Sequence, residues 1–493
     1  MNDYYFRLGI GIISMSGLLL LSLIPWPRPP PLFTGLPALI LNIISNFYKI
    51  EYILMVWRWI KYKPTKVAAK DNQLPFISVV IPVFNESEFI HNSIESIVLS
   101  DYPKDKIELV IIDDGSTDDT WEHMNQAVKA IPLGGISCRL LQHPANLGKR
   151  QAIQSGFSTA LGSIIISVDS DSVLEKGALH NIVSPLMQDP AIGAVAGHLA
   201  VLNVSSPNTF STKGFLPRLL DILYEHIGNL PRAALTAEGF VTILPGAFSA
   251  FRVNAVRDHI NNLCTSTFLG SPLKHGEDME LAYHILKDGW KTVYQSNAVV
   301  HTTAPETLQK AFLMFSRWER TMYTFLCMGY PALTAREALK LRFSFRLNEP
   351  QLSAYIPDKE RQEDGAVIMR DRVGSIYPFM NVTCIWLRGP LMILITLSLT
   401  RNLIFYPRLA LWTFVEVSIL TVWRSFLLVA DAVQEEQAHS FTNVGGLQIF
   451  HKRSRLLWRL VNSWLAGMLQ MAVLSWASIL GLLTLKSQHW WTR

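Results

Sequence analysis

The 493 residues are enough for one large catalytic domain together with a membrane region. Hydrophobic residues make up 49% of the chain and charged residues only 17%, which favours an integral membrane protein over a soluble enzyme with a large core. The net charge of +5 arises from basic residues beside apolar segments rather than on one soluble face, which argues against nucleic-acid binding.

Two apolar segments near the amino terminus are predicted to span a membrane. Residues 8–27 carry no charge, and the Pro-Trp-Pro-Arg-Pro sequence at their end is a poor signal-peptide cleavage site, which favours a retained span. The second predicted span covers residues 36–57, although it contains Lys49 and Glu51. Ionisable groups inside a span usually face protein or water, so such helices either line a path or lie at the interface.

Between residues 71 and 305 the sequence changes to short apolar runs that alternate with amphipathic segments. Continuous apolar runs predict strands buried on both faces, and strands that alternate with helices predict an α/β domain with a mostly parallel sheet. In chain order the sequence predicts strand 76–82, helix 86–99, strand 107–112, helix 120–130, strand 139–142, helix 148–161 and strand 163–168.

Polar and acidic side chains follow three of these strands at the point where each strand ends. They are Asn85 and Glu86, then Asp113 and Asp114 in the run Asp-Asp-Gly-Ser-Thr-Asp, then Asp169 and Asp171. Ligands bind at the carboxyl ends of strands in sheets of this kind, so these groups are expected to converge on one rim. Asp169-Ser170-Asp171 offers hard oxygen ligands for Mg²⁺ or Mn²⁺, although the same sequence in isolation is also typical of a solvated turn.

Two further motifs begin predicted helices. Gly148-Lys149-Arg150 suits a phosphate or diphosphate, and its alternative interpretation is a surface helix cap. Gly276-Glu277-Asp278 offers a carboxylate that can take a proton from a sugar hydroxyl, and its alternative is ordinary acidic capping of a first turn.

The segment 311–321 contains Arg317-Trp318 and is predicted to form an amphipathic interfacial helix, where aromatic and basic residues also serve as membrane anchors. A charged loop at 346–372 follows, and then three predicted spans at 376–397, 409–429 and 460–485. Basic clusters at 58–70 and 452–459 mark the cytoplasmic side. The predicted topology is therefore two spans, a cytosolic segment and three spans, with the amino terminus inside. The polar residues Arg388, Glu416 and Arg424 inside the spans are candidates to line a path or to pair locally.

Taken in order, the motifs of residues 76–320 resemble those of the family 2 glycosyltransferases, and this half of the chain is most similar to the hyaluronan, chitin and cellulose synthase group. Within that group, Gly148-Lys-Arg150, Ala194-Val-Ala-Gly197 and Leu244-Pro-Gly-Ala247 look most like hyaluronan synthases and fungal or capsular polysaccharide synthases.

The resemblance implies a GT-A (Rossmann-like) α/β domain in the cytosol, inserted between transmembrane helices and flanked by interfacial amphipathic helices. The implied organisation is a membrane region at 1–70, the GT-A domain at 71–305, interfacial helices and a loop at 306–375, and a second membrane region at 376–493.

The resemblance also implies a role for each motif residue. Asp278, beside Glu277, would be the general base, and Asp169 and Asp171 would hold the metal. The implied nucleotide-sugar contacts are Asn85, Glu86, Asp113, Asp114, Lys149, Arg150, Asp169 and Arg317, and the implied acceptor contacts are Trp318, Pro245 and Gly246.

The implied activity is inverting transfer from a UDP-sugar, with Mg²⁺ or Mn²⁺, to a growing glycan that is exported through the bilayer, and the plasma membrane is favoured as the location. The chain departs from the family pattern at Met314, which stands where the Gln-x-x-Arg-Trp motif has its glutamine. The alternatives are single transfer of a sugar to a membrane lipid and a non-catalytic membrane protein that keeps the fold for binding.

Overall fold

The computed structural model describes residues 2–23, 35–66, 71–130, 134–204, 212–344 and 375–408, together with single residues and short runs between 412 and 484. Two helices precede the α/β domain, α1 (Asn2–Leu23) and α2 (Leu36–Lys61). In the described part of the chain, one helical stretch, Leu39–Lys61, is long and apolar enough to cross a membrane, and Tyr4–Leu20 is a shorter apolar stretch.

The predicted span at 36–57 thus coincides with a helix of sufficient length and composition. The predicted span at 376–397 is also helical, whereas those at 409–429 and 460–485 lie largely outside the described residues. In the last turns of α2, Val56, Trp59 and Ile60 are buried in the core of the α/β domain. The helix therefore docks directly on that domain.

An eight-stranded sheet forms the centre of the α/β domain, with the strand order β3-β2-β1-β4-β7-β6-β10-β5. Its strands are β1 (Ile77–Val83), β2 (Ile107–Asp113), β3 (Ser137–Gln142), β4 (Ile164–Val168), β5 (Ser172–Leu174), β6 (Ile192–Val201), β7 (Phe248–Arg252) and β10 (Lys291–Thr302). A separate two-stranded ribbon pairs β8 (Thr267–Phe268) with β9 (Ser271–Pro272).

The sheet is mixed. β1 to β4 pair in parallel, as does β6 with β10, but β7 runs antiparallel to both β4 and β6, and β5 runs antiparallel to β10. The prediction of a mostly parallel sheet therefore holds for the first four strands and misses the reversal at β7. The reversal arises because the chain turns back into the sheet after the helical region 212–236.

Helices cover both faces of the sheet and continue beyond it. Those of the domain are α3 (Ile90–Val98), α4 (Thr120–Ala130), α5 (Lys149–Thr159), α6 (Ala178–Gln188), α7 (Thr212–Tyr224), α8 (Leu230–Thr236), α9 (Val253–Ile260) and α10 (Glu277–Lys287). Those that follow are α11 (Leu308–Met328), α12 (Tyr330–Ser344) and α13 (Tyr377–Phe405). A single π-helical turn, Glu225–Asn229, joins α7 to α8.

Alternate residues of the buried strands pack into two separate cores. On β1, Val80 belongs to one hydrophobic cluster, whereas Val79 and Ile81 belong to the cluster on the opposite face. This alternation is the reason why the strand sequences are apolar throughout, since both faces of the sheet are covered. The sheet is consequently a rigid platform, and its loops carry the polar groups.

A buried carboxylate ties the first strands to each other. Glu108 on β2 accepts hydrogen bonds from Ser78 Oγ at 2.5 Å and from the Leu161 backbone N–H at 2.8 Å, and its other oxygen lies 3.0 Å from Arg139 Nη2. Three segments of the domain thus depend on one side chain that is 1% exposed.

We expect Glu108→Ala to lower the free energy of unfolding by about 1–3 kcal/mol, because it leaves the buried Ser78 hydroxyl and the part-buried Leu161 N–H without an acceptor. Thermal unfolding of the purified chain in detergent measures the effect. Glu122→Ala, at an exposed position on α4, is the control and is expected to change stability by less than about 0.5 kcal/mol. Equal loss in both variants would contradict this account of Glu108.

Candidate active site

The sheet topology brings the predicted site residues to one rim. The carboxyl ends of β1, β2 and β4 meet there because these strands are parallel. β7 is antiparallel to β4, so the residues just before β7 reach the same rim. Pro245 and Gly246 precede β7, and the Asp169 backbone N–H points at the Ala247 carbonyl oxygen at 3.4 Å.

The loops after β1 and β2 hold each other. Asn85 adopts a left-handed backbone (φ 53°), and its N–H donates to Ser116 Oγ at 3.0 Å. Asn85 Oδ1 in turn accepts the Thr117 N–H at 2.9 Å. Asn85 and Thr117 are exposed at the rim, whereas Glu86 is buried and its N–H donates to Thr120 Oγ1. Asn85 is therefore available to a ligand, and Glu86 lies within the loop.

The paired carboxylates after β2 are buried and already hydrogen-bonded within the protein. Asp113 accepts from the Ser116 N–H and from Gln142 Nε2, both at 3.0 Å. Asp114 accepts from the Gly148 N–H at 2.8 Å and from the Leu147 N–H at 3.1 Å. These contacts fix the loop that leads into α5, so the structure gives both aspartates a scaffolding position beneath the rim.

Lys149 connects two acidic motifs that are far apart in the sequence. Its Nζ donates to Asp169 Oδ1 at 2.6 Å and lies 3.9 Å from Glu277 Oε1. Burial alone would lower the pKa of Lys149, but the carboxylates of Asp169 and Glu277 raise it above its ordinary value. Gly246 closes over this cation, because a Cβ there would lie 3.1 Å from Lys149 Nζ. The ammonium group is therefore charged and fixed at the centre of the rim.

Arg150, predicted to help hold the nucleotide, has a different environment. Its guanidinium is buried, donates to the Leu263 carbonyl oxygen at 2.7 Å through Nε, and pairs with Glu280 on α10. A third contact reaches the His275 carbonyl oxygen at 3.3 Å. Arg150 thus fastens α5 to the start of α10.

Asp171 sits behind Asp169, held by two threonines. Thr303 Oγ1 donates to Asp171 Oδ2 at 2.7 Å and Thr302 Oγ1 donates to Oδ1 at 3.3 Å. Burial raises the pKa of Asp171, and the neighbouring charge of Asp169 raises it further. Two hard carboxylates that repel each other are a donor pair that a divalent cation would stabilise, so these residues fit Mg²⁺ or Mn²⁺.

The described residues contain no group of three or more His, Cys, Asp or Glu side chains arranged to hold a metal. A cation on Asp169 and Asp171 would therefore take its remaining ligands from water and from phosphate oxygens, as Mg²⁺ commonly does.

Asp278 is a further titratable group of the rim with a shifted pKa. Burial first, and then the charge of Glu277, raises the pKa of Asp278 to about 6. The Met279 N–H, which donates to Asp278 Oδ1 at 2.8 Å, acts in the opposite direction and lowers this pKa. The cations Lys149 and Arg232 also favour the ionised form. A carboxylate with a pKa near neutrality is suited to accept a proton from a hydroxyl group.

The helix α11 packs directly on the turn that presents Asp278. Gly276 has a left-handed backbone (φ 88°), and a Cβ there would lie 2.6 Å from both Thr321 and Phe325. Burial and the nearby guanidinium of Arg317 lower the pKa of His275 to about 3, so this imidazole is neutral. Arg317, predicted to bind the diphosphate, therefore lies beside the acidic turn.

Trp318 belongs to an aromatic group next to the acidic residues. Its ring centroid lies 5.8 Å from that of Tyr224 and 5.3 Å from that of Phe315. Tyr224 Oη donates to Met314 Sδ at 3.7 Å, so the residue that replaces the motif glutamine is packed rather than solvent-exposed. Burial and the charge of Asp171 raise the pKa of Tyr224, which keeps this phenol protonated.

Sequence reasoning missed several polar residues of the site. Thr303 follows the carboxyl end of β10, and the strand-end argument extended beyond β4 would have found it. Arg232 on α8 belongs to no motif, and long-range packing brings it to the rim, so no local pattern indicates it. His275 directly precedes the Gly276-Glu277-Asp278 motif and could have been found by extending that motif by one residue.

Comparison with known proteins gives one family and a set of relatives. The family model described as "Glycosyl transferase family 2" matches residues 78–260. An N-acetylglucosaminyltransferase of Rhizobium meliloti (strain 1021) is 32% identical over 261 residues, which cover 53% of this chain and 58% of the relative. A hyaluronan synthase of Streptococcus pyogenes is 28% identical over 270 residues, covering 53% of this chain and 60% of that protein. The chain thus spans under two thirds of the length of these relatives.

Among solved structures, a mannosyltransferase of Pyrobaculum calidifontis in complex with GDP-Man and Mn²⁺ superposes with a TM-score of 0.50 at 20% sequence identity. The superposition covers 81% of this chain and 99% of that protein. At this identity the likeness concerns the fold, which is the GT-A-like α/β arrangement that the sequence predicted.

Backbone strain alone at this left-handed position would cost Gly276→Ala about 1–3 kcal/mol. We expect the free energy of unfolding to fall by more than this, because the added methyl group also collides with α11. Thermal unfolding in detergent measures the loss. Gly270→Ala is the matched control, since Gly270 has a similar backbone (φ 78°) and no atom within 4 Å of the added Cβ. Equal destabilisation of the two variants would show that α11 does not press on the turn.

Proposed function

We propose that this chain, which contains a glycosyl transferase family 2 domain, is an inverting glycosyltransferase that moves a sugar from a nucleotide-sugar to an acceptor hydroxyl. The family predicted from the sequence motifs is confirmed by the family match. The observation that carries the proposed activity is the position of Lys149 between Asp169 and Glu277, which joins the two acidic motifs at one rim.

In the proposed site, Asp169 and Asp171 would hold a divalent cation, which would supply positive charge to offset the diphosphate of the donor. Lys149 already lies against Asp169 and therefore reaches the same phosphate oxygens. Arg317 lies beside His275 at the start of α10 and supplies a second positive charge. These fixed charges stabilise the negative charge that develops on the leaving group.

Asp278 acts as the general base. Its carboxylate takes the proton from the acceptor hydroxyl while that oxygen forms a bond to the anomeric carbon of the donor. The bond from the anomeric carbon to the diphosphate oxygen breaks with its electron pair, so the nucleoside diphosphate leaves. Attack from the face opposite the leaving group inverts the configuration. Trp318, packed beside Tyr224, supplies an aromatic face for the acceptor sugar.

The finer assignment is a UDP-sugar donor, a polysaccharide product and an enzyme embedded in the membrane by several spans. It is supported by the names of the relatives, an N-acetylglucosaminyltransferase and a hyaluronan synthase, and by the apolar helix α2 docked on the domain. Export across the bilayer and a plasma-membrane location belong to the same proposal.

A second candidate is the transfer of a single sugar to a membrane lipid. This candidate is favoured by Met314, whose sulfur accepts the hydrogen bond from the Tyr224 hydroxyl. Related polymerising enzymes are expected to have a glutamine at this position, with its amide directed at the acceptor. Both candidates use the same donor site, and they differ only in the acceptor.

The test is to offer the purified chain, in lipid with Mn²⁺ or Mg²⁺, a panel of UDP- and GDP-sugars and to record nucleotide release and product size. We expect one donor to be consumed in a metal-dependent way, with a long product. A short lipid-linked product would support the second candidate instead. No consumption of any donor in the presence of the cation and lipid would contradict the proposed activity.

Asp278→Asn tests the general base. We expect a loss of transfer of at least about 100-fold with UDP binding retained, because the amide accepts no proton but occupies the same volume. Single-turnover kinetics and UDP titration give the two quantities. The control is Glu122→Gln on the exposed face of α4, which should retain full activity. Loss of UDP binding in Asp278→Asn would show that the residue serves the donor.

The pH dependence follows from the raised pKa of Asp278, about 6. The ionised carboxylate is the active form, so the transfer rate should be nearly constant above pH 7 and fall as the pH drops through 6. The slope should approach about tenfold per pH unit below the pKa. Rates measured at saturating donor between pH 5 and 8 check this. A rate that stays constant down to pH 5 would exclude Asp278 as the base.

A further inference from the structure

Four consecutive residues of α11 carry side chains that the site and its surroundings share. Arg317 and Trp318 lie beside the acidic turn and the aromatic group, and Glu319 and Arg320 are charged residues that are only 2% and 5% exposed. Glu319 lies two residues from Arg317 and so points to roughly the opposite side of the helix, whereas Arg320 lies three residues from Arg317 and shares its face. Arg320 accordingly also contributes to the lowered pKa of His275.

Glu319 is paired with a cation on a helix outside the catalytic domain. Arg388 Nη2 on α13 donates to Glu319 Oε1, and both side chains are at least largely buried. Arg388 lies in the predicted third span, where a cation without a counter-charge is costly. Breaking such a pair from one side leaves a buried charge uncompensated. The contact therefore fastens α11 to α13.

Arg320 fastens the same turn of α11 to the carboxyl-terminal residues. Its Nε donates to Thr484 Oγ1 at 3.2 Å. Gly481 approaches so closely that a Cβ there would lie 3.2 Å from the Arg320 backbone nitrogen and 3.3 Å from the Glu319 carbonyl carbon. Leu465 and Trp318 pack against the same hydrophobic cluster, so the contact continues towards the site.

We propose that Glu319 and Arg320 are positioning residues that set α11 against α13 and the carboxyl-terminal segment, and so hold Arg317 and Trp318 in register with Asp278. This inference rests on the proposed glycosyl transfer. The proposal also makes the acceptor site depend on α13 and on the residues around Thr484. Any shift of these two segments moves α11, the helix that carries Trp318. In the proposed site Lys149 and Asp169 hold the donor before reaction, and these contacts do not include them. Arg317 acts on the negative charge that develops on the leaving group, so a displaced α11 lowers the rate of transfer more than the affinity for the donor.

The test is a charge-removal cycle: Glu319→Gln, Arg388→Gln and the double variant. Each is assayed with the donor that the unmodified chain consumes and a soluble oligomer of the same sugar as acceptor. We expect either single variant to lower kcat/KM for the acceptor by about tenfold or more, since small misplacements of a reactant are costly in rate. The KM for the donor and the affinity for UDP should stay within about twofold. The double variant should recover most of the loss, because it leaves no unpaired charge.

The ion pair between Arg58 and Glu238 is the matched control. Arg58 Nε lies 2.5 Å from Glu238 Oε1, and this pair also joins a membrane-side helix, α2, to the catalytic domain, but it involves no residue of α11. Arg58→Gln, Glu238→Gln and their double variant should lower thermal stability without a selective effect on kcat/KM for the acceptor.

Thr484→Val removes only the hydrogen bond from Arg320 and is the milder variant if removal of a single charge prevents folding. It should raise the KM for the acceptor selectively.

Three results would overturn the inference while the proposed function stands: equal losses for donor and acceptor, the same pattern in the Arg58–Glu238 cycle, or a double variant no better than the single ones. A wild-type chain that consumes no donor would overturn the proposed function, and this inference with it.

Discussion

The arrangement of the rim depends on one cation among several carboxylates. Asp169 and Glu277 come from segments more than a hundred residues apart in the chain, and Lys149 lies between them at 2.6 and 3.9 Å. Like charges brought together out of water repel strongly, and each must be compensated or protonated. At Asp171 and Asp278, burial first and then the charge of the neighbouring carboxylate raise the pKa. Burial and the crowding of carboxylates together hold Lys149 in place and give Asp278 the pKa near neutrality that the proposed general base requires.

That arrangement requires α10 to be placed accurately, and two sets of contacts place it. Arg150 binds Leu263 and Glu280, and so joins α5, which carries Lys149, to α10, which carries Asp278. On another side, α11 packs so closely on Gly276 that no side chain would fit at that position. Arg150, for which a nucleotide contact stays a prediction, is buried and holds the acidic turn through these partners.

The sequence predicted the first half of the sheet well because its information is local. Apolar runs marked β1 and β2, and amphipathic spacing marked α4 at its observed bounds, Thr120–Ala130. It could not predict the antiparallel β7, since strand direction depends on where the chain returns after the 212–236 region. The motif residues were found for the same local reason. The partners of Arg150 escaped prediction because Glu280 lies 130 residues further along the chain.

Carboxylates at a strand end can either fix a loop or bind a ligand, and the groups that donate hydrogen bonds to them distinguish the two roles. Asp113 and Asp114 accept backbone N–H groups from the loops they organise, and are nearly inaccessible to solvent. Asp169 accepts from Lys149, whose Nζ lies under Gly246 at the open rim. Backbone donors cannot be released to a substrate without unfolding the loop, whereas an ammonium group on a flexible stem can turn to a phosphate. The first pair therefore fixes the loops at the rim, whereas Asp169 and Lys149 can exchange their mutual contact for the diphosphate in the proposed reaction.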